Sequence, residues 1–388
     1  MKKGFNMRVI LITHGKVNPN GHNGISRVVY NLNRYSKLVG IKSEIWSVVD
    51  GIKEEFLFER DESVKIRCFP RINGLIGTKS EICKKIMEEK EDIDLIHFHM
   101  PWLLDKLFIS KVCLQCNIPY IVTGHSAYSA SQKQTWKIKL GKLYEIPFLN
   151  NARAVHAITR EESSEFKKFG VKTKIFVIPN SIDYPCTNSE KRKIKCQTSG
   201  DMINFLFMGE LRAQKNIDGL INAVSMLDDE IKKKVCFRIV GPDSKNNLSK
   251  YKQLVKELNL EKQFEFLGGI FGEERKKLFI ESDAYITPSL SEVISLSAIE
   301  AMAYGKPCVL TRQSDVSYFY NYKFFCMCEN YSEDIARGIS ELVSSYKNWE
   351  ELGKNARRCY EDNFTWDVNI KKFYGMYTKY KRGNEQGV

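Results

Sequence analysis

Thirteen short apolar runs, most of them rich in β-branched or aromatic residues, alternate with longer amphipathic stretches along 388 residues, and they fall into two series. The first series reads RVILIT, SEIWSVV, VKIRCF, DLIHFH, YIVTG, AVHAIT and KIFVIP. The second reads INFLFMG, VCFRIVG, QFEFLG, DAYITP, KPCVLT and KFFCMC. Strands alternating with helices at this spacing predict parallel sheets with helices on both faces. The chain also exceeds one typical core. The fold class expected is therefore α/β, with two Rossmann-like domains whose parallel sheets face each other across a cleft. Their boundaries are expected at 1–184 and 202–364, joined by a polar, charged linker at 185–201 (PCTNSEKRKIKCQTSGD). Ligands of open α/β sheets bind beyond the carboxyl ends of the strands, so the loops after strands are where function is sought.

Composition narrows the class. Hydrophobic residues at 43% and charged residues at 28% describe an ordinary soluble globular protein. No apolar run reaches the length of about 18 residues that a membrane span needs. The N-terminal VILIT is too short for a secretory segment and reads as the first strand. The eleven cysteines show no framework. Cys113 and Cys116 form a CxxC without a second pair or histidine ligands, so reduced thiols in a cytoplasm are expected, and no metal site. The net charge is +13. Between 106 and 160, Lys106, Lys111, Lys133, Lys137, Lys139, Lys142, Arg153 and Arg160 face the single acid Glu145. Such a basic face suits an anionic membrane or a solvated surface, and no nucleic-acid module accompanies it.

The segment PSLSEVISLSAIEAMAYGKP, residues 288–307, carries the most chemistry. A strand leads in, and AIEAMA reads as a helix stopped by Gly305 and Pro307. Glu292 then lies in the loop, Ser295, Leu296 and Ser297 open the helix, and Glu300 sits two turns in. A helix start offers unpaired N–H groups to phosphate, while acids suit the hydroxyls of a sugar or ribose. A nucleotide-sugar satisfies both. In FLFMGELRAQKN, Gly209 ends a strand, and Arg212 and Lys215 follow as cations for a diphosphate on which negative charge grows as the glycosidic bond breaks.

The first half supplies weaker candidates. Gly21 and Gly24 in NPNGHNGISR allow close backbone approach to a ligand. His125 follows a strand in TGHSAYS, where it can bond a sugar or carry a proton. Asn180 in VIPNSID lies beside the domain junction. His97 and His99 are expected on opposite faces of their strand, without a shared metal. Trp136, Leu140, Leu143 and Tyr144 are expected on one helical face, directed to the core or to a membrane interface. Neither GxGxxG nor GxxxxGK[ST] occurs. Asp92 and Asp94 precede their strand, which poorly matches a metal-binding DxD.

With these residues assembled, the chain resembles the retaining GT-B glycosyltransferases of family 4 over nearly its whole length. The glutamate pair with seven residues between, followed by AMAYGKP, is the most specific element. The resemblance implies that Glu300 binds ribose hydroxyls and Glu292 the donor sugar. Arg212, Lys215 and the N–H groups of Ser295, Leu296 and Ser297 would stabilise the diphosphate. Ile270 would lie near the base, with Gly24 and His125 near the diphosphate and sugar. It further implies a C-terminal helix at 365–388 packing back on the first domain, an NDP-sugar (UDP in the first instance) as co-substrate, no cofactor and no divalent metal. The acceptor would be a saccharide or lipid-linked saccharide met in the cytoplasm, with the basic region 106–160 expected to give peripheral contact at the membrane. Three departures stand out: Val293, Ile294 and Ser295 replace glycine–aromatic–glycine, Glu210 replaces an arginine, and Asn23 replaces a glycine. They keep open a non-catalytic nucleotide-sugar-binding protein, or an epimerase or hydrolase on the same fold.

Overall fold

The structure is a computed structural model that describes residues 7–15, 17, 24–50, 63–72, 77–100, 102–128, 136–183, 202–292, 294–313 and 317–384, with backbone alone for 136–140. The expected linker, Gly21, Asn23, Lys133, Val293 and the side chains of Trp136, Lys137, Lys139 and Leu140 lie outside the described residues. The chain divides into two units, one made of 1–181 and 366–388, the other of 182–365.

In the first unit, β1 (Met7–His14), β2 (Ile41–Val49), β3 (Ile66–Pro70), β4 (Leu95–Phe98), β5 (Tyr120–Thr123), β6 (Ala154–Ala157) and β7 (Ile175–Val177) form one sheet. Its order is β3-β2-β1-β4-β5-β6-β7 and every pairing is parallel. The helices are α1 (Gly24–Ser36), α2 (Glu81–Glu88), α3 (Asp105–Gln115), α4 (Trp136–Asn150) and α5 (Arg160–Phe169). Alternation along β1 sends Ile10 and Ile12 into one core layer and Val9 and Leu11 into the other.

The second unit is a sheet of six. Its strands are β8 (Ile203–Met208), β9 (Val235–Val240), β10 (Phe264–Gly268), β11 (Ala284–Thr287), β12 (Cys308–Thr311) and β13 (Phe325–Cys328). All are parallel, in the order β10-β9-β8-β11-β12-β13. Its helices are α6 (Ile217–Ser225), α7 (Asp229–Lys232), α8 (Leu248–Glu257), α9 (Gly272–Glu281), α10 (Leu296–Ala303), α11 (Ser332–Ser344) and α12 (Trp349–Asn363). Each of the thirteen apolar runs carries one strand. In both sheets the order reverses once, between β1 and β4 and between β8 and β11, and ligands of such sheets bind at that switch point.

A last helix, α13 (Trp366–Tyr380), belongs to the first unit. Its Trp366, Ile370, Phe373, Tyr377 and Tyr380 recur at helical spacing and are buried with Val9, Leu11, Ile121 and residues of α1. Asn369, fully buried on the same helix, donates to the Ser181 hydroxyl at 2.8 Å and to the Pro179 carbonyl at 3.4 Å, which pins the segment that carries Asn180.

One surface expectation and one core alternative are corrected here. Lys106 and Glu145 are both fully buried, paired at 2.5 Å, with Tyr128 donating to the other Glu145 oxygen at 2.8 Å. Neither is part of a basic face, because each neutralises the other inside the fold. Leu143 is not a core residue, since it is 73% exposed on α4. Among the described residues no helix is long and apolar enough to cross a membrane.

Candidate functional site

The loops that follow β8 and β11 flank the switch point of the second sheet, and the sequence stitches them together. Asn216, buried and at φ 56°, takes the left-handed conformation that asparagine tolerates. Its amide donates to the Pro288 carbonyl at 3.1 Å and to that of Asn330 at 3.0 Å. The Leu290 N–H donates to the Gln214 carbonyl at 2.8 Å. Between these stitches the Lys215 ammonium donates to Glu292 Oε1 at 2.7 Å. Glu292 is held from two further sides, its Oε2 by the Ser289 hydroxyl at 3.0 Å and its N–H by the Gln313 carbonyl at 3.1 Å. Burial first, then the Glu292 charge, push the phenol of Tyr285 above the usual range.

Glycines let these strand ends converge. A Cβ on Gly241, after β9, would fall 1.7 Å from the Gly209 carbonyl oxygen, so only glycine fits. One on Gly209 would sit 3.5 Å from Lys215 Cε, beside the stem of the cation. Gly268, at φ 70°, ends β10 and leads to Ile270, which is half-buried in the next loop.

Ser295 caps α10, its hydroxyl accepting the Ala298 N–H at 3.3 Å. Helix geometry leaves the first N–H groups, including those of Leu296 and Ser297, without intrahelical acceptors. Glu300 is 6% exposed and pairs with the Arg275 guanidinium of α9. Arg212 is about half exposed and its guanidinium lies 2.6 Å from Glu210, whose carboxylate also accepts from the Ser244 hydroxyl. Three cations thus pair with three acids at this end of the sheet: Arg212 with Glu210, Lys215 with Glu292, and Arg275 with Glu300.

Gly24, His125 and Asn180 belong to the first unit. Gly24 begins α1. His125 and Ser126 both take positive φ, 48° and 67°, at the end of β5. Glu162 holds this turn, its Oε1 accepting the Ser126 N–H and its Oε2 that of Ile158, both at 2.6 Å. Burial raises the pKa of that carboxyl group, and the two backbone N–H groups oppose the rise. The His125 ring is bonded to His99, Nε2 to Nδ1, at 2.9 Å. Burial, then the charge of His156, push the His125 pKa down to about 3.

His97 and His99 do not point to opposite faces. Residues two apart in a strand share a face, and the two ring centroids lie 4.1 Å apart. A hydrogen-bonded chain runs from His97. His156 Nε2 must donate to the Ile178 carbonyl at 2.8 Å, so its Nδ1 accepts from Thr123 Oγ1 at 2.8 Å. Thr123 Oγ1 in turn accepts from His97 Nε2 at 2.7 Å, and His97 Nδ1 accepts from the Tyr377 hydroxyl at 2.7 Å. Among the described residues no group of three or more His, Cys, Asp or Glu is arranged to hold a metal ion. Cys113 is buried, which pushes its thiol pKa well up.

Sequence reasoning missed Arg275, Glu162 and the His99 contact. Arg275 sits in the charge run EERKK, which carries no signal of a buried partner. Glu162 did carry one, because Thr159 and Glu162 form the S/T-x-x-E of a capping box, and Thr159 Oγ1 accepts the Glu162 N–H at 3.1 Å.

Known proteins resemble this chain in sequence and fold. Residues 189–359 match the family described as Glycosyl transferases group 1, and residues 22–184 match Glycosyltransferase Family 4. The O-antigen chain mannosyltransferase C of Escherichia coli is 23% identical, covering 93% of this chain and 95% of its own. An uncharacterised 41.2 kDa protein in the cps region of Klebsiella pneumoniae is 24% identical over 88% of this chain and 98% of its own. Among solved structures, Anabaena HepE in complex with UDP superimposes with a TM-score of 0.77 at 16% identity, covering 96% of this chain and all of that one. Two matches that together run from 22 to 359, on two doubly wound parallel sheets, make this chain a GT-B glycosyltransferase of the group 1/family 4 type, an enzyme that transfers sugars.

Proposed function

We propose that the enzyme is a retaining, α-forming glycosyltransferase of surface polysaccharide synthesis. It takes the sugar from a UDP-sugar and gives it to a lipid-linked saccharide at the inner face of the cell membrane. The observation that carries this reading is the 2.7 Å contact of Lys215 with Glu292 across the switch point, in the loop that leads to the start of α10. The E. coli relative acts on O-antigen and the Klebsiella relative is encoded in a cps region, which supports the pathway. The UDP bound to HepE supports the nucleotide.

The chemistry follows from charge. An arriving diphosphate gives the Lys215 ammonium a second anionic partner beside the N–H groups of Ser295, Leu296 and Ser297, and frees Glu292 to accept from sugar hydroxyls. As the bond from the anomeric carbon to the diphosphate oxygen breaks, charge grows on that oxygen, where the ammonium and N–H groups stabilise it more than in the ground state. The acceptor hydroxyl attacks the same face and its proton passes to the departing diphosphate. No enzymic nucleophile and no divalent metal takes part. Arg212 joins Lys215 by leaving Glu210. Glu300 receives the ribose, and Ile270 and Gly209 lie along the nucleotide. Melting-temperature screening against UDP-, GDP-, ADP- and dTDP-sugars, without metal and then with Mg²⁺, tests the donor. A metal-independent rise with the UDP class is expected, whereas a rise only with another nucleotide, or only with Mg²⁺, contradicts this assignment.

A further inference from the structure

The helix α9 carries three consecutive basic residues with unlike partners. Lys276 pairs with Glu273 and Lys277 with Glu281, each within α9 itself. Arg275 instead reaches out of its helix to Glu300 on α10. Its guanidinium carbon lies 5.8 Å from the centroid of the Phe279 ring, and Phe279 stacks on Tyr304, at the end of α10, with centroids 5.2 Å apart and planes 3° from parallel. The guanidinium is therefore held by an aromatic floor that joins the two helices, and its side chain is 24% exposed.

We propose that Arg275 is the positioning residue for ribose recognition, holding Glu300 as an oriented carboxylate so that the site selects nucleotides with an intact 2′,3′-diol. This rests on the donor-site reading above, in which Glu300 receives the ribose. A carboxylate 6% exposed is costly unless paired and hydrogen-bonded. A guanidinium meets that need with a planar fork of five donors, and an ionised carboxylate has about four acceptor positions, more than one guanidinium fork fills. A diol offers two hydroxyl donors. Because α9 follows the loop of Gly268, Gly269 and Ile270, the same ion pair ties the loop expected beside the base to the glutamate expected at the ribose.

The test is calorimetric titration of the full chain with UDP and with its 2′,3′-dideoxy counterpart, without metal, for the wild type, R275A and R275K. The wild type should prefer UDP. R275A should lose about tenfold in UDP affinity, the scale of one charged hydrogen bond, while its affinity for the dideoxy compound stays within about twofold. R275K should recover part of the preference, because it restores charge without the fork. Equal weakening of both ligands in R275A, or no change in either, overturns the proposal. If R275A melts below the assay temperature, R275K carries the test, and an unaltered preference in it overturns the proposal. A wild-type chain that binds no UDP overturns the donor-site reading and this inference together, whereas a wild type that binds and an R275A that matches it overturns Arg275 alone.

Discussion

Lys215 and Glu292, 77 residues apart in the chain, meet at 2.7 Å over the switch point between β8 and β11. The contact joins the two loops that this topology places nearest a ligand, and it keeps a cation and an acid desolvated to similar extents, with side chains 23% and 17% exposed. Replacing Lys215 with alanine should lower turnover by about 10²–10³-fold, the cost of removing one charge-stabilising donor. Melting temperature should change little, because Glu292 keeps the Ser289 hydroxyl as a donor when Lys215 is removed. Steady-state rates on any accepted donor check this, and near-normal turnover in K215A would sink the role of the cation.

Gly241→Ala probes the convergence of strand ends. The added methyl would lie 1.7 Å from the Gly209 carbonyl oxygen, so backbone must shift at the base of the Lys215 loop. A loss of at least about 3 kcal/mol in urea unfolding is expected, the upper range for overpacking. A variant as stable as the wild type would mean that the two strand ends separate without cost.

Glu162 fixes the turn that carries His125. Glu162→Gln keeps the shape but turns one oxygen into an N–H₂, which then opposes the N–H of either Ser126 or Ile158. A loss of about 1–3 kcal/mol follows from one unsatisfied buried donor. Amide exchange at Ser126 should accelerate with it, and unchanged protection there would refute the anchoring role.

Acid should weaken the first unit well before ordinary carboxylates titrate. Burial lowers the pKa of His97 and His99 well below 6.5, and that of His156 to about 4. Between the folded and unfolded pKa values the unfolded chain binds more protons, so stability falls as pH drops through 6.5 toward 4. For His156 alone the loss at pH 5 is about 2 kcal/mol by this linkage. Protonated His156 could also no longer accept from the Thr123 hydroxyl, nor protonated His97 from that of Tyr377 on α13. Denaturant titrations at pH 7.5, 6 and 5 should show progressive loss, and a flat profile would contradict neutral, buried imidazoles.

Lys106→Met separates the buried pair from any membrane face. Leaving Glu145 buried without its partner should cost about 3–5 kcal/mol. Binding to anionic vesicles by the protein that remains folded should not change, because Lys106 is fully buried. A drop in vesicle binding at unchanged stability would put Lys106 at the surface after all.

What the sequence made legible was whatever repeats locally. The thirteen strands are β-branched and aromatic runs of the right length, and the helix after Ser295 carries its own cap and stop signals. Lys215 and Glu292 could be chosen because each follows a strand, but their 2.7 Å contact joins loops 77 residues apart and depends on which strands become neighbours. Lys106 looked like one charge of a basic stretch, since its partner Glu145 is 39 residues away. Arg275 was hidden for the opposite reason, lying among charges that do face solvent. His97 and His99 were legible and misread, because a period of two puts them on one face.

The most direct measurement is calorimetric titration of UDP into the wild-type chain and into K215A, in buffer with a chelator. The account predicts binding by the wild type without metal and a loss of at least about tenfold in K215A, as expected for removing a charged partner of the diphosphate. UDP binding that needs a divalent metal, or that is equally tight in K215A, would contradict it.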